Sequence, residues 1–554
     1  MKRIFIAAAL LLAGAGYLYM QTTAPAPPLA ARMPGGALLY LEAPNFGQTL
    51  RDWDGSAVKS AWLNSANYAA FSRSNLFLKL QEVYGQYGAA AGFEPGLKSV
   101  LEIAGTDSAL ALYGIREVEF LYISRVPESA LTRSELWALR DKFQQRQAGG
   151  VPFYLRIDPA SHRTVAFAFV QGYLLLATRD DLVAQSLELF AGATNPSVAT
   201  DRWYREAASR AGRPGELRLV MNLESLVKTT YFRSYWVERN ASQIARYWTG
   251  IADVRRTAQE LVETRSFLRA PEQPSAAPAF VSDVVALVPP GAGVYKAWQP
   301  ESPEQAASLV VARLIGSRPQ QAVDWRFAPG AAMPDAQAGT EADLETSIDE
   351  PPLPQDPGFS GAVAAIANLN IAGPVLLVEA SAPVGGPFVR MPTVVVLDGS
   401  SPWNRDTVRA ALSTAAGDLW STAQLGAGWT GATAGRHPVD RLDGLGTLAF
   451  AIDARRLFLA NDLTLLAAVL DRTAIAPSAR SLTYAAGFRH SPESGNYNRI
   501  MTALDFGAAR GEAPAFFSGD LASLGRTLGS ISEISIARTE IGTVTSETVS
   551  YHLR

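Results

Sequence analysis

The sequence predicts an α+β fold, arranged as two tandem related lobes after an N-terminal transmembrane anchor. Three observations lead to this prediction. The chain opens on an apolar segment, one part of it matches another part without a gap, and short strand-like runs alternate with helix-like runs. Each lobe is expected to be an antiparallel or mixed sheet packed by helices.

The first twenty residues have the pattern of a signal anchor. Lys2 and Arg3 precede an uncharged run from Ile4 to Met20, which as a helix would be about 26 Å long against a hydrocarbon core of about 30 Å. Because basic residues tend to stay in the cytoplasm, we expect a single-pass protein of the cell membrane whose body is periplasmic. The alternative is secretion after cleavage of the segment. Residues 21–32, rich in Pro and Ala, predict a stiff spacer.

The body contains an internal match. Residues 164–177 align with residues 447–460 without a gap, and seven of the fourteen positions are identical. Further short matches follow the same order: Pro34–Tyr40 with Pro289–Tyr295, Ala104-Gly105 with Ala372-Gly373, and Ser197, Tyr204 and Arg205 with Ser481, Phe488 and Arg489. We therefore predict a first repeat over 33–270, a linker over 271–278, and a second repeat over 279–554 that carries an acidic insertion loop at 329–358.

Local patterns place strands and helices in each repeat. The predicted strands are Ala37–Ala43, Ala109–Tyr113, Glu119–Ser124, Thr164–Val170 and Tyr173–Thr178, with counterparts at Gly293–Trp298, Val375–Ala380, Thr393–Leu397 and 447–460, and a closing hairpin of Ile531–Arg538 and Thr543–Leu553. The predicted helices are Ala57–Ala89, Arg133–Phe143, Tyr235–Leu268, Pro303–Ile315 and Arg405–Leu419, together with one after each matched hairpin, capped by Thr178 with Asp181 and by Asn461 or Asp462.

Composition excludes several kinds of chemistry. The chain has no cysteine, which rules out disulfides, thiolate nucleophiles and cysteine-ligated metals, and its four histidines are scattered. A net charge of -3 gives no basic field for nucleic acid. Gly426–Gly431 fits GxGxxG, but no apolar strand precedes it. Asp158 in the first repeat matches Asp443 in the second. Two carboxylates would suit hydrolysis, but the simpler interpretation is that each aspartate opens a turn. We predict no catalytic, cofactor-binding or metal-binding residue.

The segment from Tyr231 to Arg269 combines aromatic residues with arginines. Read as a helix, it would suit a membrane surface with anionic head groups; the alternative is a packing helix that joins the lobes. The candidate contacts with a membrane or partner are Tyr231, Phe232, Tyr235, Trp236, Tyr247 and Trp248.

The anchor, the Pro34–Tyr40 opening and the repeated strand–strand–helix unit around Leu174–Leu182 resemble a bacterial family catalogued as a domain of unknown function. That resemblance implies an exported, anchored, duplicated protein and no site residues. The function hypothesis is a non-enzymatic envelope protein that binds a protein partner or ligand, in assembly, as a scaffold or in quality control. The alternatives are a carboxylate-dependent envelope hydrolase and a lipid-binding envelope protein.

Overall fold

The predicted α+β class is confirmed. The computed structural model has a large antiparallel sheet with helices packed on it. It describes residues 28–64, 68, 72–73, 75–229, 244–270, 279–316, 357–381, 391–420, 428–444, 447–476, 481–493 and 531–554. The predicted anchor and the acidic insertion up to residue 356 lie outside the described residues. Within them, no helix has both the length and the apolarity that crossing a membrane requires.

Ten strands lie before the predicted linker and ten after it, within the described residues. The first ten are β1 Leu39–Pro44, β2 Asp107–Gly114, β3 Glu119–Arg125, β4 Gln144–Ala148, β5 Val151–Ile157, β6 Thr164–Val170, β7 Tyr173–Ala177, β8 Leu217–Met221, β9 Tyr247–Arg256 and β10 Glu260–Arg269. The second ten are β11 Val294–Trp298, β12 Ile371–Glu379, β13 Thr393–Gly399, β14 Gly428–Ala434, β15 His437–Asp443, β16 Thr447–Asp453, β17 Arg456–Ala460, β18 Tyr484–Arg489, β19 Ile531–Ile541 and β20 Val544–Leu553.

Within the described residues, nine helices lie before the linker and five lie after it. Those before it are α1 Phe46–Asp54, α2 Ala57–Leu63, α3 Asn75–Ala91, α4 Leu97–Ile103, α5 Glu128–Leu131, α6 Glu135–Ala138, α7 Asp180–Phe190, α8 Arg202–Ala208 and α9 Leu223–Leu226, with 3-10 turns at Leu29–Arg32, Arg140–Lys142 and Val198–Thr200. Those after it are α10 Ser282–Val285, α11 Pro303–Val310 with a π turn at Val311–Ile315, α12 Pro357–Ala367, α13 Arg405–Trp420 and α14 Leu463–Leu470.

Strand pairing follows the same order before and after the linker, and every registered pair is antiparallel. Before it, β4 pairs with β5, β5 with β6, β6 with β7, β7 with β3, β3 with β2, β2 with β1, and β1 with β8. After it, β14 pairs with β15, β15 with β16, β16 with β17, β17 with β13, β13 with β12, β12 with β11, and β11 with β18. The hairpins β9–β10 and β19–β20 then pair through β10 and β20.

A side-chain hydrogen bond recurs at the matched hairpins. The backbone N–H of Phe120 donates to Thr178 Oγ1 over 2.9 Å, and that of Thr393 donates to Asn461 Oδ1 over 2.8 Å. In both places a polar residue just after the hairpin fixes the first residues of the neighbouring strand. Thr and Asn differ in shape, but each supplies a side-chain oxygen that accepts the hydrogen bond, so the same contact is made by two different residue types.

By their contacts the described residues form two compact units. The first unit contains residues up to Gln48, Glu82–Pro214 and Leu219–Asn222. The second contains Thr49–Gln81, Gly215–Arg218 and Leu223–Arg554. Within the second unit, one apolar cluster lies under α11, α12 and α13, and another lies under α10 and α14.

Several predicted elements need correction. Tyr235–Leu268 is not a helix where it is described, because Tyr247–Arg256 and Glu260–Arg269 are paired strands. The match of Tyr204 and Arg205 to Phe488 and Arg489 is wrong, since the first pair is helical and the second lies in a strand. Leu29–Arg32, predicted as spacer, is a turn with buried Leu29 and Ala30.

Other helix predictions hold in part. Pro303–Ile315 and Arg405–Leu419 are confirmed within a residue, and Asp462 caps α14 by accepting the N–H of Leu465. Ala57–Ala89 falls on α2 and α3, and Arg133–Phe143 contains only α6 and a 3-10 turn. Pro357 and Gly358, predicted as part of the insertion loop, open α12.

The matched glycines Gly105 and Gly373 share a packing role. A Cβ atom on Gly105 would lie 1.9 Å from the carbonyl oxygen of Arg125, and one on Gly373 would lie 2.7 Å from Asp398 Cβ. Arg125 ends β3 and Asp398 lies near the end of β13. At Gly105 and Gly373 the backbone therefore passes too close to the end of the neighbouring strand, β3 or β13, to leave room for a side chain.

Replacing Gly105 by alanine is expected to destabilise the protein, because the obstacle is backbone and cannot rotate away. We expect a loss of about 2–4 kcal/mol in the free energy of unfolding, as for overpacked cores with backbone shifts. Gly85→Ala is the control, because nothing lies within 4 Å of its Cβ position and the site is helical. It should stabilise slightly. Equal denaturation midpoints for the two variants would contradict the close approach.

Candidate functional site

A row of charged and aromatic side chains crosses five neighbouring strands of the second unit. In register across β11, β18, β19, β20 and β10 lie Trp298, Tyr484, Arg538, Glu547 and Arg265. Because directly opposed residues of antiparallel strands project from the same face, these five side chains share one face of the sheet. We call these five residues, with Lys296 and Glu263 beside them, the central row.

Glu547 is the buried anion of the central row. Its Oε1 accepts from Arg265 Nη1 at 3.1 Å, and its Oε2 accepts from Arg538 Nη2 at 2.8 Å and Nε at 3.1 Å. The Glu547 side chain is 10% exposed, whereas those of Arg538 and Arg265 are 39% and 34% exposed. The carboxylate therefore lies beneath two guanidinium groups that reach solvent.

Arg265 also binds the second glutamate of the row. Its Nε and Nη2 donate to the two oxygens of Glu263 at 2.6 and 2.7 Å. These hydrogen bonds raise the pKa of the Arg265 guanidinium above its ordinary value. Arg265 thus bridges Glu263 on its own strand and Glu547 on the next strand.

At the other end of the row, cations lie over aromatic rings. Lys296 Nζ is 4.5 Å from the ring centroid of Trp298 and 6.0 Å from that of Tyr484. Arg538 Cζ is 5.0 Å from the centroid of Tyr484. Three cations and two anions leave the row with an excess of positive charge. Such an arrangement suits the recognition of a carboxylate next to an apolar or aromatic group.

Two of the sequence-predicted contact residues lie in strand β9. Tyr247 stacks near Phe267, with ring centroids 5.3 Å apart, and its hydroxyl donates to Thr545 Oγ1 at 3.2 Å. Trp248 is the next residue and is partly buried. These contacts fit the packing interpretation for Tyr247. Tyr231, Phe232, Tyr235 and Trp236 lie outside the described residues.

Sequence reasoning missed the central row, although one signal was present. Glu263-Thr-Arg-Ser-Phe267 resembles Glu547-Thr-Val-Ser-Tyr551 at an offset of 284. In the sheet Thr264 lies directly opposite Thr548, so these two matched segments pair with each other around that position. Aligning the two segments would have placed Glu263 and Glu547 at equivalent positions.

A second polar cluster lies where β12 ends. Glu379 and Glu493 are each 5% exposed, and Glu379 Oε1 is 3.4 Å from Arg313 Nη1. Burial, reinforced by the negative charge of Glu493, raises the pKa of the Glu379 carboxyl, and Arg313 opposes part of the shift. His490, also buried, has its pKa lowered by burial. We name Glu379, Glu493 and Arg313 the carboxylate cluster.

The residues singled out for hydrolysis and nucleotide binding have structural roles. Asp158 Oδ2 accepts from the N–H and the hydroxyl of Ser161 at 2.8 and 2.7 Å, which closes a turn and lowers the pKa of Asp158. Asp443 accepts from Arg441 at 2.8 Å. Gly428 and Gly431 lie in strand β14 and not in a phosphate-binding loop. Across the described part of the chain, no group of three or more His, Asp or Glu residues could hold a metal.

Comparison with known proteins adds little. No family model matches the chain, and no curated protein matches it. Among solved structures, crystal form I of TP0453 has a TM-score of 0.25 and 12% identity, and covers 46% of this chain and 82% of that chain. Crystal form III gives the same score and identity with 84% of that chain covered. Neither similarity carries information on function.

Replacing Arg265 by methionine tests the bridge. The change keeps the unbranched stem of the side chain but removes the guanidinium, and it leaves Glu263 and Glu547 on one face with Arg538 as the one arginine of the row. We expect the free energy of unfolding to fall by about 1–3 kcal/mol. Arg116→Met is the matched control, because the Arg116 side chain is 87% exposed, and its effect should stay within about 0.5 kcal/mol. Indistinguishable denaturation curves for the two variants would show that the bridge contributes nothing.

The raised pKa of Glu379 predicts a dependence of stability on pH. A carboxyl whose pKa is raised on folding contributes most below its unfolded pKa of about 4.3, and that contribution is lost as pH rises through the folded value. In Glu379→Gln, stability should therefore fall less than in the natural protein as pH rises above about 4.3. Glu301→Gln, at an exposed glutamate, should leave the profile unchanged. If the plots of stability against pH were parallel for the natural protein and Glu379→Gln, the raised pKa of Glu379 would be contradicted.

Proposed function

We propose that this chain is a non-enzymatic, membrane-anchored protein of the bacterial envelope, and that it binds a protein partner or ligand at the central row. The observation that carries the proposal is the row itself: half-exposed guanidinium groups and a cation over Trp298, held in register by a buried glutamate. The ion pairs and cation–aromatic contacts of the row orient its side chains. No pair of side chains in the row resembles a nucleophile next to a general base. A rigid, preformed surface of this kind binds without a large ordering cost.

The chemistry of the row indicates the class of partner. Lys296, Arg538 and Arg265 outnumber Glu547 and Glu263, and Trp298 and Tyr484 offer ring faces beside them. We therefore expect a segment that presents a carboxylate next to an aromatic or apolar side chain. Aromatic residues and arginines are the residue types that contribute most at protein interfaces.

We also propose that the body is a tandem duplication of one α+β unit, which places the central row on strands from both copies. The shared pairing order, the recurring hydrogen bond at Thr178 and Asn461, and the matched segments around Thr264 and Thr548 support this. A ligand on the row would touch β10 of the first copy and β11, β18, β19 and β20 of the second. Binding would then require both copies.

The lipid-binding alternative loses part of its basis, since Tyr247 and Trp248 lie in a paired strand and not on an amphipathic helix. The hydrolase alternative keeps one supporting observation, the buried Glu379 with its raised pKa beside Glu493. A general acid needs such a pKa. If the protein hydrolyses peptidoglycan, glycans or esters, Glu379→Gln should abolish turnover, and no turnover by the natural protein on any of the three would exclude this alternative.

The binding proposal is tested by crosslinking the tagged, full-length protein in its native membranes and identifying what purifies with it. We expect a stoichiometric partner, and its recovery should fall at least tenfold in the double variant Lys296→Glu, Trp298→Ala, which corresponds to a loss of about 1.4 kcal/mol. Arg116→Glu, on an exposed turn, is the control for the change in charge. Thermal unfolding of each variant checks that the fold is kept. Equal recovery by folded variants would exclude the row as the binding surface.

A further inference from the structure

Strand β14 is an edge strand that lacks the usual protection against pairing with another chain. It pairs with β15 on one side, and among the described residues no backbone hydrogen bond joins its other side to anything. Its sequence, Gly428-Trp-Thr-Gly-Ala-Thr-Ala434, contains no charge and no proline. Natural edge strands usually carry a lysine, a proline or a bulge that prevents association.

Among the described residues, the faces of β14 are open at its two glycines. A Cβ atom built on Gly428 or on Gly431 meets nothing within 4 Å. The side chain of Trp429 packs on one face of the sheet. Its Nε1 donates to Ser413 Oγ at 2.8 Å, and the centroid of its ring lies 5.3 Å from that of Phe450. The strand is therefore fixed in position while its outer backbone groups face outward. An added extended strand can replace water as the partner of a row of such groups.

We propose that the outer edge of β14 pairs antiparallel with β14 of a second copy of this chain, so that the protein self-associates as a two-fold dimer. Centred on Gly431, this pairing would place Gly431 opposite its own copy, Trp429 opposite Thr433, and Gly428 opposite Ala434. No like charges would meet, and each large side chain would face a small one.

Strand β4 provides a contrast within the same chain. It pairs with β5 alone in the described part of the chain and is largely exposed, but its central residue is Arg146, which forms an ion pair with Asp180. Self-pairing of β4 about its centre would set Arg146 opposite Arg146. Like charges directly opposed across strands are destabilising, which argues against the same association at β4.

The fold already uses this kind of pairing once. The segments around Thr264 and Thr548 match in sequence and pair antiparallel about those two residues. A β14 dimer would repeat between two chains what β10 and β20 do within one. An edge of seven residues gives a small interface, so we expect a dissociation constant of about 1–10 micromolar in solution and tighter association when both copies are tethered to one membrane.

The test uses the full-length protein, which has no cysteine of its own. Under mild oxidation Gly431→Cys should form a disulfide-linked dimer, because the two-fold axis brings the two residues together. Gln147→Cys on β4 is the matched control and should form it at least tenfold more slowly. In Gly431→Lys, and in Thr433→Lys as a second variant, the mass measured by light scattering should shift from dimer to monomer, with the thermal unfolding midpoint unchanged.

Three results would overturn the proposal. The first is a natural protein that stays monomeric at tens of micromolar. The second is Gly431→Cys crosslinking no faster than Gln147→Cys, as expected if another part of the chain or a different protein occupies the edge. The third is growth into assemblies larger than a dimer, because head-to-tail pairing of β14 with β4 does not close.

Discussion

The central row depends on one arginine that neutralises two glutamates. Arg265 binds Glu263 along its own strand and Glu547 across to β20, and Arg538 completes the shell around Glu547. Without that charge, the two carboxylates would share one face of the sheet, and the one guanidinium left in the row, that of Arg538, would lie on the far side of Glu547 from Glu263. A buried ion of this kind is costly unless it is fully paired. The pairing of β10 with β20 and the charge balance of the central row therefore depend on the same residue, Arg265.

This arrangement gives the central row two different properties. Its lower layer, Glu547, is buried and fixes the register of the strands. Its upper layer, Lys296, Arg265 and Arg538, reaches solvent and retains an excess of positive charge. The exposed guanidinium groups are thus oriented by a buried carboxylate, as the polar groups of a preorganised site are. The carboxylate cluster differs, because burial there raises the pKa of Glu379 and favours its neutral form.

Much of the sheet could be predicted from the sequence, because strands β1, β2, β3, β6 and β7 and their counterparts carry short apolar runs with clear turns. The helix predicted over Tyr235–Leu268 was wrong where it is described. Tyr247, Ile251, Val254 and Leu261 recur at helical spacing, yet Tyr247 to Ile251 is rich in aromatic and β-branched residues that favour strands. Spacing alone could not choose between the two. The central row was beyond reach because its members come from five strands, and only pairing brings them together.

The asymmetry of the row bears on the proposed duplication. At the offset that matches Glu263 with Glu547, the residue equivalent to Arg265 is Val549, which is 3% exposed. Two identical chains paired through this strand would carry either two arginines or two valines here. Two arginines would each lie opposite a glutamate and give two bridges, whereas two valines would leave no arginine between the glutamates on these two strands. Joining the copies in one chain removes that restriction, since one position can be arginine and the other valine. The single bridge of Arg265 is therefore an arrangement that a fused pair can have and a symmetric dimer cannot.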